Sequence, residues 1–319
     1  MHPVHLILSP GTRVVTRQPV KQAVDTTRPS LDEIPAGTVG VVLAAPSDAR
    51  HAYRIGFNSG SIAMLRRTEF SILKEFKTEG LQPQSAEMEF SDWEPFIIYR
   101  CVVGSQAFGL SEPGSDTDRR GIYLPPADLH WSLYGVPEQI EPHRTGPDDD
   151  HAEVYWELQK FLIMALKGNP NILECLHTPL VDYATPLMRE LLEGRKAFLS
   201  KLIYQTYNGY VLSQFKKLEQ DLRARGEIRW KHAMHLMRLL LSGITALREG
   251  ELRLRLEEHR DALLRIKRGE IPWNELNTWR LALHRDFESA FLTTRLPERP
   301  DYAWANRFLI RARRHQLRD

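Results

Sequence analysis

The amino-acid sequence predicts an α+β protein with a β-rich start, a mixed middle and a helical C-terminal half. Three observations predict it. Short strand-like runs punctuated by glycine fill the first 75 residues. The apolar run Phe96 to Val103 ends in Gly104-Ser105, and ten residues later comes Asp116-Thr117-Asp118, which leads into Ile122-Tyr123-Leu124. From Pro186 onward, apolar residues recur at helical spacing.

Composition sets the outer bounds. A chain of 319 residues is long enough for two or three domains and a sizeable core. Apolar content of 42% and charged content of 26% are those of an ordinary water-soluble chain, and no apolar run reaches membrane-spanning length. The start, Met1 to Leu8, carries no basic leader, so no secretory signal is expected. The two cysteines, Cys101 and Cys175, sit in apolar contexts. They are expected as reduced core residues without a disulfide partner, in a cytoplasmic protein. A net charge of +2 does not by itself argue for nucleic acid, but arginine is concentrated in the C-terminal half.

Residues 1–75 read as a small β-barrel. Thr12 to Thr16, Gly37 to Leu43 and Ala52 to Phe57 are strands, and Asn58-Ser59-Gly60 turns the chain into Ser61 to Leu65. The layout resembles SH3-like or KOW-type barrels, some of which bind RNA or protein. Arg13, Arg17, Lys21, Arg28, Arg50, Arg54, Arg66 and Arg67 read first as scattered solubilising charges and second as a phosphate-binding patch. Polar residues 76–91, with Gly80, Pro83 and Ser85, are the expected linker.

Residues 92–185 carry the candidate chemistry. A glycine at a strand end lets backbone approach a phosphate, and the adjacent hydroxyl and N–H groups can hold its oxygens. In a strand, Asp116 and Asp118 point to one face. Two carboxylates on one face suit a hard divalent cation shared with substrate phosphates. Together these parts point to phosphoryl or nucleotidyl transfer. Pro125-Pro126 ends the second strand, and the loop from Ala127 to Asp150, with its Asp148-Asp149-Asp150 run, reads as solvated. His151 to Trp156 reads as a strand with Glu153 and Tyr155 on one side. A helix from Glu157 to Lys167 follows, capped by Gly168, and Asn171 is the expected N-cap of the next. Glu174 and His177 could line a pocket but are assigned no role.

Residues 186–319 read as a helical domain closing a cleft. Trp230 to Arg248 has the strongest apolar face, with Leu236, Leu240 and Ile244 upon it. Lys231, His235 and Arg238 share another face at i, i+4 and i+7. That face reads either as a solvated basic surface or as donors for a triphosphate or an RNA backbone. The arginine-rich tail from Ala303 to Arg318 suits either nucleic acid or an acidic surface of the same chain.

Gly-Ser, a ten-residue gap and Asp-x-Asp resemble the signature of the polymerase-β-type nucleotidyltransferase superfamily. The fuller strings Gly104-Ser105-Gln106-Ala107-Phe108-Gly109-Leu110, Ser115 to Tyr123 and Tyr155 to Glu174 are similar to the RlaP/YcgL-like group of predicted nucleotidyltransferases associated with RNA repair. The resemblance implies a polymerase-β-like core, a mixed sheet with helices, and an enzyme using Mg2+ or Mn2+ and an NTP such as ATP. It implies Asp116 and Asp118 as catalytic metal ligands, with a third carboxylate on a later strand. Glu153 is the choice for that third position and Asp150 the runner-up. Gly104, Ser105, Ser115 and Arg120 would bind nucleotide phosphates. So would Lys231, His235 and Arg238, because the group carries a similar Lys-His-x-x-His-x-x-Arg run. The implied acceptor is an RNA end, from tRNA or damaged RNA. The rivals are protein or small-molecule nucleotidylation, and a non-catalytic RNA-binding protein of the same fold.

Overall fold

The structure, a computed structural model, describes residues 7–20, 33–46, 51–79, 88–142 and 152–317. The chain divides into two compact units, Met1–Gln82 and Pro83–Asp319. Among the described residues no helix is long and apolar enough to cross a membrane.

The first unit is an antiparallel sheet of β1 (Arg13–Thr16), β2 (Val39–Ala44), β3 (Tyr53–Phe57), β4 (Ile62–Leu65) and β5 (Phe70–Ile72), followed by α1 (Leu73–Thr78). The spatial order is β4-β3-β2-β1-β5. Alternation puts Val14, Val42, Ile55 and Leu65 on one buried face. Tyr53 of β3 meets Phe70 of β5 edge-on at 5.4 Å although two strands separate them in the sheet, so the sheet curls upon its own core. Arg17 is held by Ser71 at 2.6 Å and by Glu79 at 3.3 Å, and Arg67 lies 3.8 Å from Glu75. Lys21, Arg28 and Arg50 of the expected basic patch lie outside the described residues, as do residues 80–87 of the expected linker.

The second unit opens with α2 (Phe90–Trp93), β6 (Ile97–Val103), α3 (Gly104–Ala107), β7 (Asp118–Tyr123), α4 (Ala127–Trp131), β8 (Gln139–Ile140) and β9 (Glu153–Glu157). There follow α5 (Leu158–Leu166), α6 (Pro170–His177), β10 (Val181–Ala184), α7 (Pro186–Glu193), α8 (Leu202–Arg225), α9 (Trp230–Glu249), α10 (Arg260–Lys267), α11 (Trp273–Thr293) and α12 (Tyr302–His315). The strands form a mixed sheet in the order β10-β6-β7-β9-β8, with β7 and β9 parallel and the other pairs antiparallel.

The two faces of this sheet are covered differently. On the front, Tyr99, Cys101 and Ile122 join Phe161, Leu173, Leu236, Leu240 and Phe287 in one continuous core. Each such side chain contributes roughly 1.5–3 kcal/mol by leaving water, so burial binds the helices to the sheet. Cys101 and Cys175 are free and buried within that core. On the back, Trp93, Ile97, Tyr123, Ile140 and Tyr155 form a smaller cluster. Gly121 matters here: a Cβ would come within 2.6 Å of the Tyr155 ring and 2.1 Å of the Tyr99 carbonyl. Only a glycine lets that phenol cross β7 to take a hydrogen bond from Arg100 Nε at 2.7 Å.

Asn169, rather than the expected Asn171, caps α6, and its side chain accepts from the Asn171 N–H. The reason is Pro170, whose fixed φ and missing N–H suit the first helical position. Glu157 closes β9 and caps α5, accepting from the N–H groups of Gln159 and Lys160.

Candidate active site

The site lies where β6 ends and β7 begins. The chain leaves β6 at Gly104, which has φ +71° and lies so close to Asp118 that a Cβ would stand 2.5 Å from its Oδ2. Glycine is therefore required both for the turn and for the approach. Gln106 donates to Thr117 Oγ1 at 2.7 Å, which ties α3 to the Asp-Thr-Asp segment. Strand β7 starts only at Asp118, so Asp116 stands in the loop before it rather than on a shared strand face. Both carboxylates nevertheless line one cavity.

The loop between α3 and Asp116 is held by cations from far along the chain. Arg255 donates to the Ala107 carbonyl, Arg260 to that of Gly109 and Lys267 to that of Leu110. Glu112 takes Lys267 at 2.8 Å and Arg268 at 2.7 Å. The hydrogen bond from Lys267, then that from Arg268, brings its carboxyl down to about 2. Ser115 and Glu112 exchange hydrogen bonds, Ser115 Oγ accepting from the Glu112 N–H and the Ser115 N–H donating to the Glu112 carbonyl, each at 2.9 Å. Part of the arginine-rich half thus serves the site from within the same chain.

A cavity of about 830 Å³ results. Gly104, Ser105, Glu112, Ser115, Asp116 and Asp118 line it with Lys267, and Arg229, Lys231, His232 and His235 line it from the start of α9. Lys231 Nζ stands 3.9 Å from Asp116 Oδ2, a long and exposed pair of the kind worth about 0–1 kcal/mol. A second cavity of about 310 Å³ shares Gly104, Phe108, Asp118 and His235 with the first. It adds Arg120, Gln139, Val154, Trp156, Asn171 and Glu174. Arg120 ties β7 to β9, donating to the carbonyls of Arg119 and Ala152 at 2.7 Å, and its other nitrogen is 3.8 Å from Asp118.

Two expectations are corrected. Glu153 is not beside the aspartates. It pairs in register with Arg119, and neighbours in register share a face, so it points to the back while Asp118, Arg120, Val154 and Trp156 point to the front. There it sits 3.4 Å from Arg119 and accepts from Tyr155 at 2.9 Å. Arg238 does not line the large cavity with Lys231 and His235. It is wholly buried, with its guanidinium 3.6 Å from the centroid of the Phe108 ring and hydrogen-bonded to Glu174. Two turns separate it from Lys231, and those turns carry it into the core, so only the first turns of α9 reach the large cavity.

His235 borders both cavities. Burial, then Arg238, His232 and Lys231, drives its pKa down to about 3, so it is a neutral donor or acceptor near pH 7. Asp150 lies outside the described residues. Among the described residues no cluster of three or more His, Cys, Asp or Glu side chains is placed to hold a metal ion. Among the described residues, Glu112 of the large cavity is taken up by Lys267 and Arg268, which leaves the Asp116 and Asp118 carboxylates, hard oxygens that suit Mg2+ when substrate phosphates complete its shell.

A mixed sheet with a Gly-Ser turn and two aspartates, closed by a helical wall, is the architecture of a polymerase-β-type chain. The model of the RNA repair pathway DNA polymerase beta family, RlaP, matches residues 75–311, and the chain belongs to that family. It is 27% identical over 147 residues to YcgL, an uncharacterised protein of Bacillus subtilis (strain 168), covering 46% of this chain and 54% of that one. It is 29% identical over 131 residues to an uncharacterised 38.9 kDa protein from the nrdC-mobD intergenic region of phage T4, covering 38% of each. The chain thus spans about half the length of the first relative and less of the second.

Proposed function

We propose that the protein is a Mg2+-dependent nucleotidyltransferase that moves an NMP from an NTP to an acceptor hydroxyl at an RNA end and releases pyrophosphate. One observation carries the reading: the Gly104–Ser105 turn, both aspartates and the Lys231 end of α9 line a single cavity, in a chain of the polymerase β family. In this reading residues 92–185 supply the catalytic sheet and residues 186–319 the helical wall of the cleft. The family's place in RNA repair favours RNA as acceptor, and an intracellular, cytoplasmic protein goes with it. The curled N-terminal sheet is read as an SH3/KOW-like barrel that assists RNA or protein binding.

The chain's own residues divide the work. Gly104 brings backbone close to the β- and γ-phosphates, and Ser105 and Ser115 offer hydroxyls. Lys231 and Arg229 supply positive charge opposite them. Asp116 and Asp118 would hold Mg2+, which supplies neutralisation of the charge that develops at the α-phosphorus and on the leaving pyrophosphate. The acceptor oxygen forms a bond to the α-phosphorus as the bond from that phosphorus to the bridging oxygen breaks. Glu153 is directed away from the aspartates, so in this reading Asp150, the runner-up for the third carboxylate, is the candidate to receive the acceptor's proton.

The test uses the full chain, Mg2+, each α-labelled NTP in turn and total cellular RNA. The expected result is labelled RNA, lost with Asp116→Asn or Asp118→Asn. Label on protein instead would replace RNA with a protein acceptor. Tight RNA binding with no label from any NTP would leave a non-catalytic binding protein.

A further inference from the structure

The two cavities differ in their exposed cations and in their aromatic lining, and the difference suits them to different ligands. In the larger, Lys267 is answered by Glu112, but Lys231 is exposed with only a 3.9 Å pair to Asp116, so a ligand anion can take its charge. The smaller has one cation in its lining, Arg120, whose Nη1 donates to two backbone carbonyls, and two carboxylates, Asp118 and Glu174, the second already paired with the buried Arg238. It presents no lysine to a phosphate, and a neutral, planar group with a polar edge needs none.

The walls of the smaller cavity fit such a group. Trp156 is partly exposed and fixed in place: its indole Nε1 donates to Gln139 Oε1 at 2.9 Å, and its ring lies 6.3 Å from that of Phe161. Parity on β9 turns it to the front, one strand from Asp118. Asn171, an exposed amide, and His235, neutral by virtue of its burial, stand at the same walls and can both donate and accept. A rigid aromatic face beside uncharged hydrogen-bonding groups is how proteins take nucleobases. A cavity of about 310 Å³ is of the size for one nucleoside, and it shares Asp118 with the larger cavity, where the transfer reaction would occur.

We propose that the smaller cavity is a nucleoside site in which a base lies against the Trp156 indole. The proposal rests on the nucleotidyl-transfer reading of the larger cavity. The nucleoside is either the acceptor's terminal residue or the NTP's own, and the chemistry of the site is the same for both.

Each cavity contains one of the chain's seven tryptophans: Trp230 lines the larger and Trp156 the smaller. The test is 19F NMR of the full chain labelled with 5-fluorotryptophan, with the two lines assigned by Trp156→Phe and Trp230→Phe. Uncharged nucleosides are expected to shift the Trp156 line saturably and leave the Trp230 line in place. Mg2+-tripolyphosphate is expected to do the reverse. An NTP that shifts both lines identifies the donor's base as occupant. An NTP that shifts Trp230 alone, with an RNA trinucleotide shifting Trp156, identifies the acceptor's. Trp156→Ala should then weaken the corresponding ligand roughly tenfold or more. A Trp156 line that moves with no nucleoside, NTP or trinucleotide overturns the proposal. A Trp230 line unmoved by both tripolyphosphate and NTP overturns the nucleotidyl-transfer reading instead.

Discussion

On the front of the β7–β9 pair, Asp118 lies 3.8 Å from Arg120 and borders both cavities. On the back, one residue along, Arg119 lies 3.4 Å from Glu153 and 3.1 Å from Asp182, and Tyr155 donates to Glu153 while accepting from Arg100. Burial pushes the Tyr155 phenol above its ordinary value, and the Glu153 carboxylate beside it adds to the rise. Residue types are nearly the same on both faces. What differs is completion: the back-face carboxylates have their hydrogen-bond partners within the chain, whereas those in front have weak, long pairs that a ligand could replace. A carboxylate is available for chemistry when its surroundings leave its charge unanswered, and that depends on which face a strand residue takes.

The sharpest way to break this comparison is to neutralise a carboxylate on each face. Asp116→Asn and Asp118→Asn should lower nucleotidyl transfer by roughly 10³-fold or more, because each removes a charge needed only where phosphate charge develops. Thermal denaturation midpoints should stay close to that of the wild type. Glu153→Gln should do the opposite, leaving activity within a few-fold and lowering the midpoint. A folded Glu153→Gln protein without activity would return that residue to the site.

The same contrast recurs along α9. Arg238 is sealed against Phe108 and Glu174, while Lys231 stands exposed at the cavity mouth. Arg238→Met leaves Glu174 buried without its partner, and urea unfolding should show a loss of about 3–5 kcal/mol. The double variant Arg238→Met/Glu174→Gln should recover part of that loss. Lys231→Ala should instead raise the KM for NTP by roughly tenfold, as expected for a lost charge-assisted contact, without a change in unfolding. If Arg238→Met raised KM and left stability alone, the sealed and open assignments would be reversed.

How much of this was legible in the sequence follows the same line. Local structure was: the Gly104 turn and the apolar stripe of α9 depend on residues close together in the chain, whereas Asp116 comes to the cavity from a loop and not from the expected strand face. The third carboxylate was not, because alternation fixes that Glu153 opposes Val154 but says nothing of which of them meets Asp118. That needs the parallel register of β9 on β7, set by a loop whose length hides it. Arg238 failed for a related reason. Spacing at i and i+7 fixes a common face, but depth depends on where the helix enters the core. Lys267 and Arg268 reach Glu112 from more than 150 residues away, and no local pattern joins them. Trp156 carried a usable signal, an aromatic residue at the opposite parity to Glu153, once the strand's front was known.

The smallest expected effect separates sealed from open groups by pH. Burial, the first cause each time, lowers His177 and His235 to about 3 and His130 and His284 to about 4. An unfolded histidine titrates near pH 6.5. Between that value and pH 3–4, the unfolded chain therefore binds protons that the folded chain refuses. Stability contributed by these groups is complete above about pH 6.5 and falls as pH drops through that window. Glu157, whose carboxyl burial raises, works the other way just above its ordinary value and offsets part of the fall. His177 is the clean probe, since it lines neither cavity and its Nε2 is shut off from solvent without a partner. Urea midpoints measured from pH 7.5 to pH 4.5 should decline, and His177→Gln, which cannot take up the proton, should make the decline shallower. An unchanged slope in His177→Gln would mean that this ring accepts its proton in the folded state and is not sealed at all.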